Sequence, residues 1–229
     1  MSILASDKRN ESLGVEVEKH LRSLNIHTPT IENEYTNLSH DEKISIIEKN
    51  LEVIMDVLGL DRRDDSLQET PNRVAKMYVK EIFSGLDIKN FPKCTTVENK
   101  MTSGKEFVLE RKINVSSTCE HHLLPILGYA TVAYIPNKKV LGLSKLNRIV
   151  KYFSKRPQVQ ERLTVQIKEA LCAILDTKDV AVYIDAKHTC VSTRGVEDID
   201  SSTVTLAAGG VFDTNDVLRG EFLAEARKV

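Results

Sequence analysis

The second half of the chain arranges its strand-like and helix-like stretches in an order that restricts the fold. Residues 106–115 and 126–135 are rich in β-branched and aromatic residues, which is typical of strands. Two stretches with apolar residues at helical spacing follow within residues 142–175, and residues 179–212 contain two further strand-like runs. Two helices between two antiparallel strand pairs indicate an α+β fold, in the order ββααββ.

The first half is predicted to be helical. Ser39 and Glu42 have the spacing of a capping box, and apolar residues recur at helical intervals from there to Gly59. We therefore predict an N-terminal helical region over residues 1–95 and a second domain over residues 96–229 that ends in a helix. Residues 1–38 are polar and mixed, and whether they are ordered or flexible is left open.

Composition and charge exclude several classes of function. The chain has 32 Lys and Arg against 33 Asp and Glu, a net charge of −1, so it lacks the basic field of a nucleic-acid-binding protein. No window approaches the ~20 apolar residues that a membrane span needs, and the N-terminus lacks the apolar core of a signal peptide. We expect a cytoplasmic protein with no membrane and no nucleic-acid partner, whose four cysteines form no disulfide framework.

Two clusters of cysteine and histidine suggest a metal site. Cys119 and His122 are three residues apart, so they can face one point only if the backbone turns there. His188 and Cys190 are two apart and would share a face if both lay on a strand. Thiolate and imidazole ligands suit zinc. Together the clusters predict one Zn²⁺ site built from distant parts of the chain.

Two ligand sets remain open from spacing alone. Cys119, His122 and Cys190 would leave a fourth position for water, with His121 and His188 nearby to transfer protons, as hydrolysis requires. The alternative is a closed structural site in which Cys119 and Cys190 are joined by His188 and by either His121 or His122.

A second group of residues could bind an anion and a base. Lysines and arginines near helix starts hold phosphates well, although for any one of them a solvated surface charge is the commoner role. The candidates are Ser144, Lys145 and Arg148 in one helical turn, Arg194 near a glycine, and Arg73 with Lys76 on an earlier helix. A carboxylate that accepts two N–H groups can recognise a guanine edge. Glu161 could do this with help from Gln160, or these two could simply form a good helix start.

Four long motifs resemble the GTP cyclohydrolase I family, whose members catalyse the first step of tetrahydrofolate and pterin synthesis. They are "DDSLQETPNRVAKMYVKEIFSGL", "STCEHHLLPILGYATVAYIP", "GLSKLNRIVKYFSKRPQVQERLT" and "DAKHTCVSTRG", and the similarity, strongest to bacterial members, runs from about Asp41 to the C-terminus. The resemblance implies the tunnelling fold, an antiparallel four-stranded sheet with two helices on one face. It also implies a homo-decamer of two stacked pentamers, with active sites between subunits.

The resemblance further implies the reaction and the role of each residue. GTP and water give formate and 7,8-dihydroneopterin triphosphate, and a zinc-bound water attacks C8 of guanine. Cys119, His122 and Cys190 match the zinc ligands, and His121 and His188 match the histidines that shuttle protons. Ser144 matches the serine of the later ribose rearrangement. The substrate contacts are Glu161 and Gln160 for guanine, and Lys145, Arg148 and Arg194 for the triphosphate, with Arg73 and Lys76 as additions.

The sequence departs from the family pattern at a few positions, and two other functions are alternatives to this interpretation. Thr189, Ser192 and the apolar run 206–208 differ from what the family pattern suggests, but none is a residue with an implied catalytic role. One rival is the nitrile reductase of queuosine synthesis, which uses NADPH and a nucleophilic cysteine and needs no catalytic zinc. The other is a non-catalytic binding module that zinc merely stabilises.

Overall fold

The computed structural model of the protein describes residues 5–100 and 106–228. Its helices alternate with strands only in the second half of the chain. The helices are α1 (Glu11–Ser23), α2 (His40–Val57), α3 (Thr70–Met77), α4 (Leu143–Ser154), α5 (Gln160–Leu175), α6 (Thr189–Ser192), α7 (Val211–Thr214) and α8 (Asp216–Ala226). The strands are β1 (Thr96–Glu98), β2 (Val108–Cys119), β3 (Pro125–Tyr134), β4 (Lys139–Leu141), β5 (Pro157–Gln158), β6 (Val180–His188) and β7 (Thr203–Ala208).

Local sequence signals explain where the N-terminal helices begin. The predicted capping box of α2 is confirmed, because the Glu42 backbone N–H donates to Ser39 Oγ at 3.3 Å and the Ser39 N–H donates to Glu42 Oε2 at 2.8 Å. Helix α3 begins at Thr70 and is preceded by Glu69, which makes no side-chain cap. Beyond Met77 the helix widens into a π turn over Tyr78–Ile82.

The main sheet has five strands in the order β5-β2-β3-β6-β7. The four long strands pair antiparallel, as predicted, whereas the two-residue β5 pairs parallel to β2. The prediction of an α+β fold is confirmed. The predicted sheet of only four antiparallel strands is wrong, because the short link from α4 to α5 runs along β2 for two residues and adds an edge strand. Strands β1 and β4 form a separate two-stranded sheet.

Alternation along the strands gives the sheet two different faces. Ile126, Ala130 and Val132 of β3 point to the face that α4 and α5 cover, and all three are fully buried there. On the other face, Ala133 packs with Phe222 of α8 in a second apolar cluster. Toward the start of β3, residues on this second face are left partly exposed.

The N-terminal helix α1 belongs to the main core. Val17 and Leu21 are buried in the same apolar cluster as α4 and α5, and α1 lies against α5. The division of the chain near residue 95 stays a prediction. Among the described residues, no helix combines the length and apolar character that crossing a membrane requires.

Candidate metal centre

A tight turn joins β2 to β3 and shapes the first half of the centre. The Leu123 N–H donates to the Cys119 carbonyl at 2.9 Å, and the Cys119 N–H donates to the Leu124 carbonyl at 2.8 Å. Leu123 has a φ of 54°, a left-handed conformation that closes the turn. The turn that the Cys119–His122 spacing demanded is therefore present.

The second half of the centre lies at the end of β6. His188 is the last residue of this strand and pairs with Ile126 of β3, which places it beside the turn. The assumption that Cys190 continues the strand is wrong, because the chain enters the short helix α6 at Thr189. The Thr189 hydroxyl donates to the Pro125 carbonyl at 2.8 Å and so attaches α6 to the start of β3.

Cys119, His122 and Cys190 converge on one point. Their ligand atoms all lie within 4.8 Å of one another, although 71 residues separate the two cysteines in the chain, from 119 to 190. Cys119 is buried, Cys190 is half-buried and His122 is exposed, so the group opens to the surface on one side. Two thiols and an imidazole are a donor set that suits zinc. Within the described chain, no fourth Cys, His, Asp or Glu joins this group.

Electrostatics within the group favour a cation. Burial and the neighbouring Cys119 thiol raise the pKa of Cys190, because two thiolates this close repel each other. A divalent cation between them would reverse that effect. Arg194 Nη1 lies 2.8 Å from His122 Nε2, and a guanidinium can only donate, so this contact uses the single lone pair of a neutral imidazole. A cation bound by His122 would therefore displace the contact with Arg194.

The two histidines outside this group lie close to it. His121 Nδ1 is 3.8 Å from Cys119 Sγ, and its side chain is exposed. His188 is half-buried, and burial lowers its pKa, while the nearby carboxylate of Glu161 acts in the opposite direction. His188 is therefore predominantly neutral near pH 7 and able to accept a proton.

The first turn of α5 brings two more predicted residues to the centre. Glu161 is exposed, and its charge reaches His188. Gln160 is 1% exposed and lies 2.8 Å from His188 Nε2 through its Oε1 atom. Its amide nitrogen is engaged with oxygens of β6 and of residues 203–205. The side chain of Gln160 is therefore directed into the protein.

The predicted phosphate residues at the start of α4 lie far from the metal group of the same chain. Asn147 of α4 donates to Glu110 Oε1 at 3.1 Å, and Glu110 precedes Cys119 by nine residues of β2. The Leu141 N–H, just before α4, donates to Tyr134 Oη at the opposite end of β3 from Pro125. At ~3.3 Å per residue, and with the bulge between Glu110 and Ile113 shortening the strand by about one residue, this part of β2 covers about 25–30 Å.

The predicted site residues therefore fall into three sets. Near the metal group are His121, His188, Gln160, Glu161 and Arg194. At the far end of the sheet are Ser144, Lys145 and Arg148, and the charges of the last two reach the Cys94 thiol. Arg73 and Lys76 are exposed on α3, which packs on α2.

One ion pair at the centre was not predicted. Arg162 of α5 donates from Nη1 to Glu120 Oε2 at 2.6 Å and from Nη2 to Oε1 at 3.3 Å. Both side chains are more than three-quarters buried, and the pair ties the turn between β2 and β3 to α5. The partners are 42 residues apart, and no local pattern in the sequence relates them.

Fold and site together define an α+β protein with a Cys–His–Cys group, able to hold a metal, at one end of its main sheet. A family model described as GTP cyclohydrolase I matches residues 47–227. A GTP cyclohydrolase 1 of Shewanella amazonensis is 53% identical over 211 residues, which are 92% of this chain and 96% of the relative. One of Vibrio vulnificus is 53% identical over 207 residues, 90% of this chain and 94% of the relative. The chain belongs to the GTP cyclohydrolase I family.

Proposed function

We propose that this chain is an enzyme that hydrolyses the imidazole ring of the guanine in GTP. It releases formate and forms 7,8-dihydroneopterin triphosphate, the entry compound of tetrahydrofolate and pterin synthesis. The observation that carries the proposal is the convergence of Cys119, His122 and Cys190 beside His121 and His188, in a chain of this family. No observation favours a reductase that would need NADPH.

Cys119, His122 and Cys190 would hold one Zn²⁺ per subunit, since their two thiols and imidazole suit that ion. Bound there, Zn²⁺ would supply Lewis-acid activation of water for the attack on C8. His121 and His188 take up and return the protons of ring opening and formate loss. Ser144 serves the later ribose rearrangement and ring closure.

The remaining site residues would bind the substrate. Glu161 is exposed beside His188, which suits a contact with the guanine edge. Arg194 lies at the metal group and would carry one phosphate contact. Lys145 and Arg148 would bind the rest of the triphosphate, with Arg73 and Lys76 as further contacts. A guanine contact from Gln160 stays a prediction, because its side chain is engaged within the protein.

The active site would be shared between subunits. The start of α4 and the metal group of one chain are about 25–30 Å apart along β2 and β3, farther than one nucleotide reaches. In a ring of five subunits, Ser144, Lys145 and Arg148 of one protomer would complete the metal group of its neighbour, and two rings would form a decamer. Exposed apolar residues of α2 and the turn that follows it also favour association. They are Val53, Ile54, Val57 and Leu58.

A simple assay tests the activity. Purified, zinc-loaded protein is incubated with GTP, and the products are examined for formate and, after oxidation, for a fluorescent pterin. Cys119→Ser and His121→Ala are expected to abolish both products. His40→Ala is the matched control, because His40 lies on α2 and pairs with Asp87, away from the metal group. Normal formate release by the Cys119 or His121 variant would refute the assignments.

Two further measurements test the zinc and the shared site. Chelation is expected to abolish turnover while most of the helical signal survives, whereas a zinc-stabilised binding module would unfold. Cys119→Ser and Lys145→Ala proteins, each inactive, are expected to regain activity when dissociated and reassembled together. When the two variants mix at random in a ring, about one quarter of the interfaces combine an intact metal group from one protomer with an intact Lys145 from its neighbour. No recovery after confirmed mixing would contradict the shared site.

A further inference from the structure

The side chain of Gln160, at the first residue of α5, is held from both ends. Its amide nitrogen lies 3.2 Å from the Ile184 carbonyl, 2.8 Å from the Thr203 carbonyl and 3.1 Å from Thr205 Oγ1. Its Oε1 lies 2.8 Å from His188 Nε2. A glutamine that is 1% exposed therefore has hydrogen-bond partners on both its nitrogen and its oxygen.

The chemistry of these partners fixes which end of the amide is which. Backbone carbonyls of Ile184 and Thr203 can only accept hydrogen bonds, so the atom facing them must be the NH₂ group. Oε1 then necessarily faces His188, and it too can only accept. Exchanging the two ends of the amide would place Oε1 against the carbonyl oxygens of Ile184 and Thr203. The two buried hydrogen bonds that these carbonyls accept would then be lost.

A short hydroxyl relay supports the same orientation. Thr164 Oγ1 donates to the Gln160 carbonyl at 2.7 Å, which uses its single proton. Thr205 Oγ1 lies 2.6 Å from Thr164 Oγ1 and must therefore be the donor between the two hydroxyls. Thr205 is left free to accept from the Gln160 amide. All of these donors and acceptors have a partner only if the NH₂ group of Gln160 faces Thr205.

We propose that Gln160 is a positioning residue that holds His188 in the tautomer with the proton on Nε2. The Nε2–H donates to Gln160 Oε1. Nδ1, which keeps a free lone pair, is then the atom that exchanges protons with substrate or water. Within the described chain, Nδ1 makes no hydrogen bond of its own. The inference rests on the proposed function only for the role of His188 in proton transfer.

The role of Gln160 then differs from a guanine contact. A residue that binds the base mainly lowers affinity for GTP when it is lost. A residue that selects the tautomer of a proton-transfer histidine mainly lowers the rate of the chemical step. The ratio of effects on kcat and KM therefore separates the two roles.

The chain provides a matched control for the test. Gln166 lies on the same helix, is 0% exposed, and donates to the Ile26 carbonyl at 2.7 Å. It touches none of the predicted site residues. Gln160→Met and Gln166→Met both replace a buried amide by an apolar side chain of similar length, so their general structural effects are comparable.

The tautomer is measured directly and without turnover. In zinc-loaded protein with ¹⁵N-labelled histidine, solid-state NMR distinguishes a protonated from an unprotonated ring nitrogen, and His188→Ala identifies the His188 signals. We expect protonated Nε2 and unprotonated Nδ1 in wild type and in Gln166→Met, and a mixture of tautomers in Gln160→Met. A wild-type spectrum with the proton on Nδ1 would overturn the proposal even if the enzyme is fully active.

Kinetics provide the second readout. Gln160→Met is expected to lose about 10–100-fold in kcat with KM changed less than threefold, the loss typical of a supporting residue at a metal site. Gln166→Met is expected to keep kcat within threefold. Gln160→Glu retains an acceptor for Nε2–H and, with its other oxygen protonated, one donor for the Ile184 or Thr203 carbonyl, so it should keep more activity than Gln160→Met. A rise in KM at unchanged kcat for Gln160→Met would instead establish a substrate contact. If that variant does not fold, the wild-type spectrum and Gln160→Glu decide.

Discussion

Loss of the Glu120–Arg162 ion pair should weaken zinc binding although neither residue is a ligand. Glu120 lies between Cys119 and His121 in the turn, and Arg162 holds it from the first turn of α5 through two hydrogen bonds. A second contact, from the Glu120 N–H to the Gln158 carbonyl at 3.0 Å, holds the same turn and survives the substitution. Arg162→Gln should therefore loosen the turn without releasing it.

The size of the effect follows from geometry and burial. At a charge separation of about 4 Å and an effective dielectric constant of about 20, the Coulomb energy is ~4 kcal/mol. The side chains are 23% and 22% exposed, so screening and the ordering of two flexible chains remove much of this. A net contribution of about 1–2 kcal/mol remains for a bidentate, partly buried pair. If zinc binding requires the ordered turn, the zinc Kd rises by roughly tenfold.

Competition with a chromophoric chelator measures this Kd, and the variants Glu120→Gln, Arg162→Gln and the double variant complete a thermodynamic cycle. The cycle should show that the two single losses overlap, because either one breaks the pair. Asp56→Asn is the control, since Asp56 forms a similar two-bond pair with Arg62 on the exposed end of α2. Zinc affinities within twofold of wild type for both single variants would refute the reasoning.

Two further predictions concern packing and thiol reactivity. A Cβ on Gly128 would lie 2.1 Å from a backbone carbonyl of β6, so Gly128→Ala should destabilise the fold by about 2–4 kcal/mol in urea unfolding. Gly220→Ala, where a Cβ meets nothing within 4 Å, should not destabilise it, and equal effects would contradict this account. Burial raises the pKa of Cys94 to about 12 and of Cys172 to about 11, so iodoacetamide at pH 8 should spare both. Chelation should make Cys190 label faster than in the zinc-loaded protein, as seen by peptide mass spectrometry, although its raised pKa keeps the rate below that of an ordinary exposed thiol. A rate independent of chelator would argue against zinc there.

Features that depend on neighbours in the sequence were predictable. The capping box of Ser39 and Glu42 involves residues three apart, and the long strands and helices follow from periodicities within single segments. The turn after Cys119 was predictable because two ligands three apart require one. In each case the energy that decides the structure is local, so the sequence pattern contains it.

Features that depend on tertiary pairing were not predictable. Strand β5 is two residues long and exists only because it lies along β2. Cys190 reaches the metal group from α6 and not from a strand, and the bond from Thr189 to Pro125 that holds α6 there crosses 64 residues. The Glu120–Arg162 pair and the partners of Gln160 are of the same kind. Residue types alone suggest the chemistry of such contacts, but the topology decides which atoms meet.

The tertiary structure, and not the local sequence, also determines how many chains are needed to build the site. The motifs with Cys119, Ser144 and Glu161 suggest one active site when read as a list of residue types. Strand β2 instead places the start of α4 and the metal group at opposite ends of one long strand. A strand within a paired sheet cannot fold back to bring its ends together, so no loop movement within one protomer joins the two sets. If all of these residues act on a single nucleotide, a second chain must supply one set, and the recovery of activity in mixed oligomers becomes a requirement of the fold.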